Sequence, residues 1–331
     1  MNRIFPLLLS IAFLAACGPS DDASEATPAD DAAVESTAEK APEPMPAPEP
    51  PERMADEEAS AAEDDRLGSI LAAQPEAIRA RYDQRHPRET LEFFGIEPGM
   101  TVVEALPGGG WYSRILIPYL GEEGRLVGAN YALDMYPNFP FADDEFMTEM
   151  RQWPTTFPTM AEEWCETDCA EVETFWMGEL PEDMEGAADA VLFVRVLHNL
   201  ARFQNENVGP YLDLALADAH AVLKPGGTFG VVQHSIPDSA PDDWARGDRG
   251  YLKPSWVVSR VEDAGFELVA RSDVNANPAD QPGDGDIVWR LPPSLATSEE
   301  GSDERAEYEA IGESNRMTLK FRKVERDPMQ D

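Results

Sequence analysis

From Arg66 onward the apolar positions fall into alternating rhythms of period near 3.6 and short continuous runs. Leu67, Ile70, Leu71 and Ile78 recur at near-helical spacing, His86-Pro87 breaks the pattern, and residues 88–94 form a second short helix ended by Gly95 and Pro98. Residues 101–105 read as a short apolar strand, followed by a Gly108-Gly109-Gly110 turn and a helix through Tyr119 that Gly121 stops. Residues 125–131 are a second buried strand. The stretch 138–159 is rich in proline and aromatics, with one short helix near 144–153. Residues 172–177 read as strand three, and 189–196 are a near-continuous apolar run of the kind a central parallel strand shows. A helix over 208–223, stopped by Lys224-Pro225-Gly226-Gly227, precedes strand five at 228–234. Pro254 and Gly265 bracket a helix at 254–264, residues 266–271 are strand six, and 317–322 are a last strand beyond a long irregular loop at 273–315. Strands alternating with helices predict an α/β fold: a Rossmann-like doubly wound sheet of about seven strands, mainly parallel with an antiparallel last strand, helices on both faces.

The junction after the first strand carries the candidate chemistry. Glycines there let a ligand approach the backbone, because no Cβ obstructs it, and the following helix start favours an anionic group. Glu104, at the carboxyl end of the strand, falls at the rim where open α/β sheets bind ligands. His198 and His234, both at strand carboxyl ends, are the candidate general bases, since imidazole titrates near neutral pH. Each has a structural reading too: His198 as a cap of the segment after it, His234 as a packed core residue. Trp111 and Tyr112 could line a pocket or pack on the sheet.

Composition changes the picture at the N-terminus. Residues 1–17 place one arginine before an apolar run that is too short for a stable anchor and ends in Leu14-Ala15-Ala16-Cys17. That tetrapeptide resembles the lipobox of bacterial lipoproteins, which implies cleavage before Cys17 and its acylation. Gly18 in place of aspartate favours an outer-membrane anchor facing the periplasm. Residues 18–65 hold 16 acids against Lys40 and Arg53 and almost no large apolar side chains, so they predict a disordered acidic tether. The domain then spans 66–325, with a tail at 326–331. The net charge of −38 argues against nucleic acid or an anionic membrane surface as partner, leaving lipid at Cys17 as the membrane attachment. In an exported chain Cys165 and Cys169 read as a disulfide staple; no nearby histidine or cysteine completes a metal site.

The residues also carry a resemblance. Glu104 with Gly108-Gly109-Gly110 resembles the first motif of class I S-adenosylmethionine-dependent methyltransferases. Residues 189–196 resemble their fourth strand, and Leu223-Lys-Pro-Gly-Gly227 the lead into their fifth. A bacterial group of predicted, often exported, methyltransferases is similar more closely, through Phe93-Phe94-Gly95, Pro98–Glu104, Pro107–Tyr112, Val194–Asn199, Ala264–Phe266, Asn277-Pro-Ala-Asp280 and Leu319–Lys323. The resemblance implies S-adenosyl-L-methionine as cofactor and a small-molecule methyl acceptor. Glu104, Gly108, Gly109 and Gly110 would cradle the cofactor's amino-acid end, Asn130 would meet the ribose and Glu179 the adenine, with Trp111 and Tyr112 at the substrate. Leu106 replaces the usual first glycine of the motif, and Asn130 the usual acid, at a cost of about 1 kcal/mol of charge-assisted hydrogen bonding. These departures keep a second function open, a non-catalytic ligand-binding envelope lipoprotein of the same fold.

Overall fold

The computed structural model describes residues 65–324; the signal-like segment, Cys17, the acidic tether up to its last residue and the tail at 326–331 lie outside them. Four short helices come first: α1 (Arg66–Ala73), α2 (Glu76–Arg79), α3 (Tyr82–Arg85) and α4 (Pro87–Phe94). The first helical stretch is split because Gln74, ahead of Pro75, is pushed to an extended ψ of 150°. His86, at φ 41°, closes α3, and Pro87 opens α4 with its dihedral already set.

The sheet then builds as β1 (Thr101–Ala105), α5 (Ser113–Leu120), β2 (Arg125–Asn130), α6 (Asp144–Ala161) and β3 (Glu171–Trp176). It continues as β4 (Ala188–Val194), α7 (Leu197–Asn205), α8 (Tyr211–Val222), β5 (Leu223–His234), α9 (Pro254–Asp263), β6 (Phe266–Ser272), α10 (Asp303–Ile311) and β7 (Arg316–Lys323). The seven strands lie in the order β3-β2-β1-β4-β5-β7-β6, with β7 antiparallel to both its neighbours and the other pairs parallel. This is the Rossmann-like sheet that the alternation predicts. Successive residues serve opposite faces. Val103, Val127, Val191 and Phe229 join one core with α7, α8 and α9, while Val102, Leu126, Ala190 and Leu192 join the other with α1, α4 and α5.

Three stretches differ from the sequence expectation. The helix expected to end near Trp153 runs on to Ala161 through Pro154 and Pro158. Pro158 has no N–H for the carbonyl of Pro154, and the Thr174 hydroxyl on β3 donates to that carbonyl instead, at 3.2 Å. Lys224–Gly227, expected as a loop, is the irregular start of β5; Lys224 Nζ lies 2.6 Å from Asp189 on β4, whose other oxygen accepts from Thr101 N–H at 2.9 Å. The loop at 273–315 contains α10, capped by Ser302 accepting from Arg305 N–H.

Candidate functional site

Strand order decides which residues meet. Along the edge formed by the carboxyl ends of the parallel strands, Asn130 ends β2, Leu106 follows β1, Arg195 follows β4 and His234 ends β5. Arg316 begins the antiparallel β7 beside His234. Between β2 and β1 the chain encloses a cavity of about 590 Å³, within the range of small-molecule sites. Leu106, Gly108 and Asn130 form its sheet side. Tyr131, Tyr136, Phe139 and Trp289 supply aromatic walls, and Phe141, 57% exposed, stands at its mouth. A separate hollow of about 410 Å³ between α8 and α9, lined by Asp213, His220 and Arg260, is remote from the strand ends.

The three glycines play different parts. A Cβ on Gly109 would meet open space, and one on Gly108 would have only the Leu106 carbonyl at 3.9 Å, so this backbone stands free for a ligand. Gly110 is closed: a Cβ there would land inside the Trp164 ring. Trp164 is fixed by Arg114 stacked 4.5 Å over it and by the loop behind it. In that loop Cys165 and Cys169 form a disulfide, Cα atoms 5.9 Å apart, and Asp168 pairs with Arg66 at 2.7 Å. Leu106, where the resemblance calls for glycine, still adopts the glycine-like φ of 52°, a strain of roughly 1–2 kcal/mol for a leucine.

Glu104 is buried and accepts from Ser113 Oγ at 2.6 Å, at the start of α5. Burial raises its pKa to about 7, against the opposing pull of that hydrogen bond. Its side chain supports the bend from behind and is not among the cavity walls. Asn130 does face the cavity; its Oδ1 accepts from Tyr131 N–H at 2.9 Å and from the Tyr136 hydroxyl. The Tyr131 hydroxyl donates to the Val196 carbonyl at 3.0 Å, tying the end of β2 to the segment after β4. Glu179 is exposed on the turn after β3, its N–H bonded to Trp176, and does not border the cavity.

His198 and His234 lie together, ring centroids 5.4 Å apart, and neither borders the cavity. His198 Nδ1 is 3.4 Å from Gln233 Nε2, and its other face meets Trp289 at 5.7 Å. Burial lowers its pKa to about 4, with the Gln233 contact opposing. His234 Nδ1 is 2.6 Å from Ser314 Oγ, and burial, then the neighbouring His198 and Arg195, push its pKa down. Both imidazoles are therefore neutral at pH 7 and weak bases, a state suited to fixing neighbours by hydrogen bonds more than to taking a proton.

Neither Trp111 nor Tyr112 borders the cavity. Arg85 lies 4.6 Å over the Trp111 ring, and the Tyr112 hydroxyl reaches the Arg85 carbonyl at 3.5 Å. The sequence reading missed Tyr136, Phe139 and Trp289 in the cavity wall, and a group of arginines around Glu313 next to Trp111. Among the described residues no group of three or more His, Cys, Asp or Glu could hold a metal ion.

No family model and no curated protein matches this chain. Solved structures that resemble it include a SAM-dependent methyltransferase from Aquifex aeolicus, at 15% identity over 78% of this chain and 98% of that one, with a TM-score of 0.44. A geranyl diphosphate C-methyltransferase from Streptomyces coelicolor A3(2) reaches 16% identity over 77% and 88% of the two chains, with a TM-score of 0.46. The [4+2]-cyclase SpnF overlaps at 15% identity over 73% and 80%, with a TM-score of 0.43. These likenesses are looser than the strand order itself and add nothing to it.

Proposed function

We propose that this protein is an S-adenosylmethionine-dependent methyltransferase acting on a small-molecule acceptor. The observation that carries the reading is the bend at Gly108 and Gly109, whose missing side chains leave open backbone beside a cavity that Asn130 lines from the neighbouring strand. The motif resemblance, in which this bend and this strand end hold the cofactor, supports the same assignment. The residues present fit the group. Gly108 and Gly109 would admit its amino-acid end, Asn130 would meet a ribose hydroxyl, and the tyrosine and phenylalanine walls suit an adenine ring and a sulfonium. When bound, S-adenosylmethionine supplies an electrophilic methyl group. The chain's own part is to position the acceptor and exclude water, with the neutral His198 and His234 holding the frame behind Trp289.

One observation favours the alternative, a non-catalytic ligand-binding lipoprotein: the Asn130 carboxamide oxygen is already engaged by two donors. Calorimetry of the full chain with S-adenosylmethionine and S-adenosylhomocysteine separates the two. Saturable binding that Gly108→Asn abolishes supports the enzyme, since asparagine tolerates the left-handed backbone while filling the open side of the bend. No heat and no thermal shift at millimolar ligand removes the cofactor from the proposal. We further propose acylation at Cys17, with attachment to the outer membrane facing the periplasm. Among the described residues no helix is long and apolar enough to cross a membrane. Cys17→Ala should move the protein to the soluble fraction, and unchanged membrane fractionation refutes acylation.

A further inference from the structure

In a chain of net charge −38, four arginines converge on one carboxylate along the same sheet edge as the cavity. Glu313 Oε1 takes Arg81 Nε at 2.7 Å and Arg85 Nε at 3.0 Å, and Oε2 takes Arg316 Nη1 at 3.1 Å. Arg195 Nη1 reaches Oε2 only at 3.9 Å. Glu313 is the acid all four share, so the cluster keeps an excess of positive charge. The side chains of Arg85 and Arg316 are 6% and 3% exposed, where an uncompensated cation is costly. Arg195 and Arg81, at 28% and 23%, open the cluster to solvent. Two buried donors here have no partner, Arg316 Nε and Trp111 Nε1. The backbone of Arg195 is held at φ 62°, strain of the kind that collects at ligand sites. Burial and the charges of Arg195 and Arg81 outweigh the pull of Glu313 and lower the Arg85 pKa to about 10, consistent with a local excess of cations.

The fold spends buried contacts on presenting this group. Asn277 Nδ2 donates to the carbonyls of Ile311 at 2.8 Å and Glu313 at 2.7 Å, and Asp280 accepts from Asn315 N–H at 2.9 Å while paired with Arg290. The Asn277–Asp280 stretch is therefore a brace for the segment carrying Glu313 and Arg316. By strand order Arg195, which follows β4, and Arg316, which begins β7, lie on the opposite side of β1 from Asn130. Resting on the methyltransferase reading, we infer that the methyl acceptor carries a carboxylate or phosphate group and that this arginine cluster binds it. Planar guanidinium forks from several directions, with an indole N–H, are the donors such an oxyanion needs.

The test titrates the full chain with inorganic phosphate and, separately, with acetate, at fixed ionic strength against a chloride control and with saturating S-adenosylhomocysteine. The expected result is a saturable rise in melting temperature and a binding isotherm for one or both anions, the tighter of the two naming the acceptor's group. Arg195→Gln and Arg81→Gln should each weaken it about tenfold or more while leaving S-adenosylhomocysteine affinity in place. Arg195→Gln should not melt lower than wild type without the anion, because its contact with Glu313 is long, at 3.9 Å; Arg81→Gln, which loses hydrogen bonds to Glu313, is judged by its anion affinity alone. The inference is overturned if wild type responds to neither anion beyond chloride, or if both variants respond as wild type does. It is overturned equally if phosphate competes with S-adenosylhomocysteine, for the cluster would then hold the cofactor's own carboxylate. S-adenosylhomocysteine binding without an anion response sinks this inference alone; an anion response without S-adenosylhomocysteine binding sinks the methyltransferase reading, and the acceptor role with it.

Discussion

Replacing Glu104 by glutamine isolates the electrical cost of the acid behind the glycine bend. Burial raises its pKa from 4.5 to about 7, so the folded state holds the proton more tightly than the unfolded chain. The stability this contributes is full below the unfolded pKa and is lost as pH rises through the folded one. Integrating between those two values, the penalty grows by about 2.5 kcal/mol from about pH 5 to about pH 8. Glutamine keeps an oxygen for the Ser113 hydroxyl, so any loss from the weaker hydrogen bond is common to both pH values and cancels in the comparison. The buried histidines titrate alike in both proteins and cancel too. Urea unfolding followed by tryptophan fluorescence, in the absence of ligand, should show Glu104→Gln gaining about 2.5 kcal/mol relative to wild type at the higher pH over the lower. A change in that difference below about 0.5 kcal/mol would mean that Glu104 ionises in the fold as freely as in water, and the reasoning from burial would be wrong.

Asn130→Asp should tighten S-adenosylhomocysteine binding about tenfold by calorimetry, because Tyr131 N–H and the Tyr136 hydroxyl already offer two donors to a carboxylate; unchanged or weaker binding contradicts the ribose role. Arg290→Met should destabilise the domain by about 3–5 kcal/mol in denaturant, since it leaves Asp280, fully buried and 2.7 Å away, without its cation; a loss under 1 kcal/mol refutes this. Changing Cys165 and Cys169 together to serine should cost about 2 kcal/mol and loosen Trp164 over Gly110, read as lower thermal stability with altered tryptophan fluorescence; unaltered melting contradicts a stapling role. Relative to His198→Gln, wild type should lose stability as pH falls from 6.5 to about 4, because the lowered pKa of His198 makes its neutral form the folded one; equal slopes in denaturant titrations of the two proteins contradict this.

The sheet was legible because its signals are local. Runs such as Val102-Val103 and Val191-Leu192-Phe193 stand between turn residues, and their order along the chain implies right-handed crossovers. The site was legible only where one strand end carries it, as at Gly108 and Asn130. Gly110 looked like a third ligand-side glycine, but the reason for it lies in Trp164, more than fifty residues on. Trp111 and Tyr112 read as pocket-lining or packed on the sheet, yet they lie before α5, which begins at Ser113, and both meet Arg85. The arginine cluster draws on α3 with Arg81 just ahead of it, the segment after β4, and β7 with Glu313 three residues ahead of it, so no window of sequence contains it. Its faint local signs are the i,i+4 spacing of Arg81 and Arg85 and the basic residue that ends the apolar run at 189–196.

Charge placement ties the two halves of the edge together. An acidic surface repels anionic ligands at long range, but screening at physiological salt confines that repulsion to about 8 Å. Within contact distance the guanidiniums dominate, because four of them face a single carboxylate and two of the four, Arg85 and Arg316, are shielded from water. The cavity has a more apolar character: aromatic walls with the carboxamides of Asn130 and Asn199, and Arg202 as the charged group in its lining. On the proposed reading, the acceptor's apolar body would meet the aromatic walls and its anionic group the guanidiniums, both at the edge where the parallel strands end. The strained backbones of Leu106 and Arg195 follow the adjacent strands β1 and β4, so both lie on this same edge, where strain of this kind collects at ligand sites.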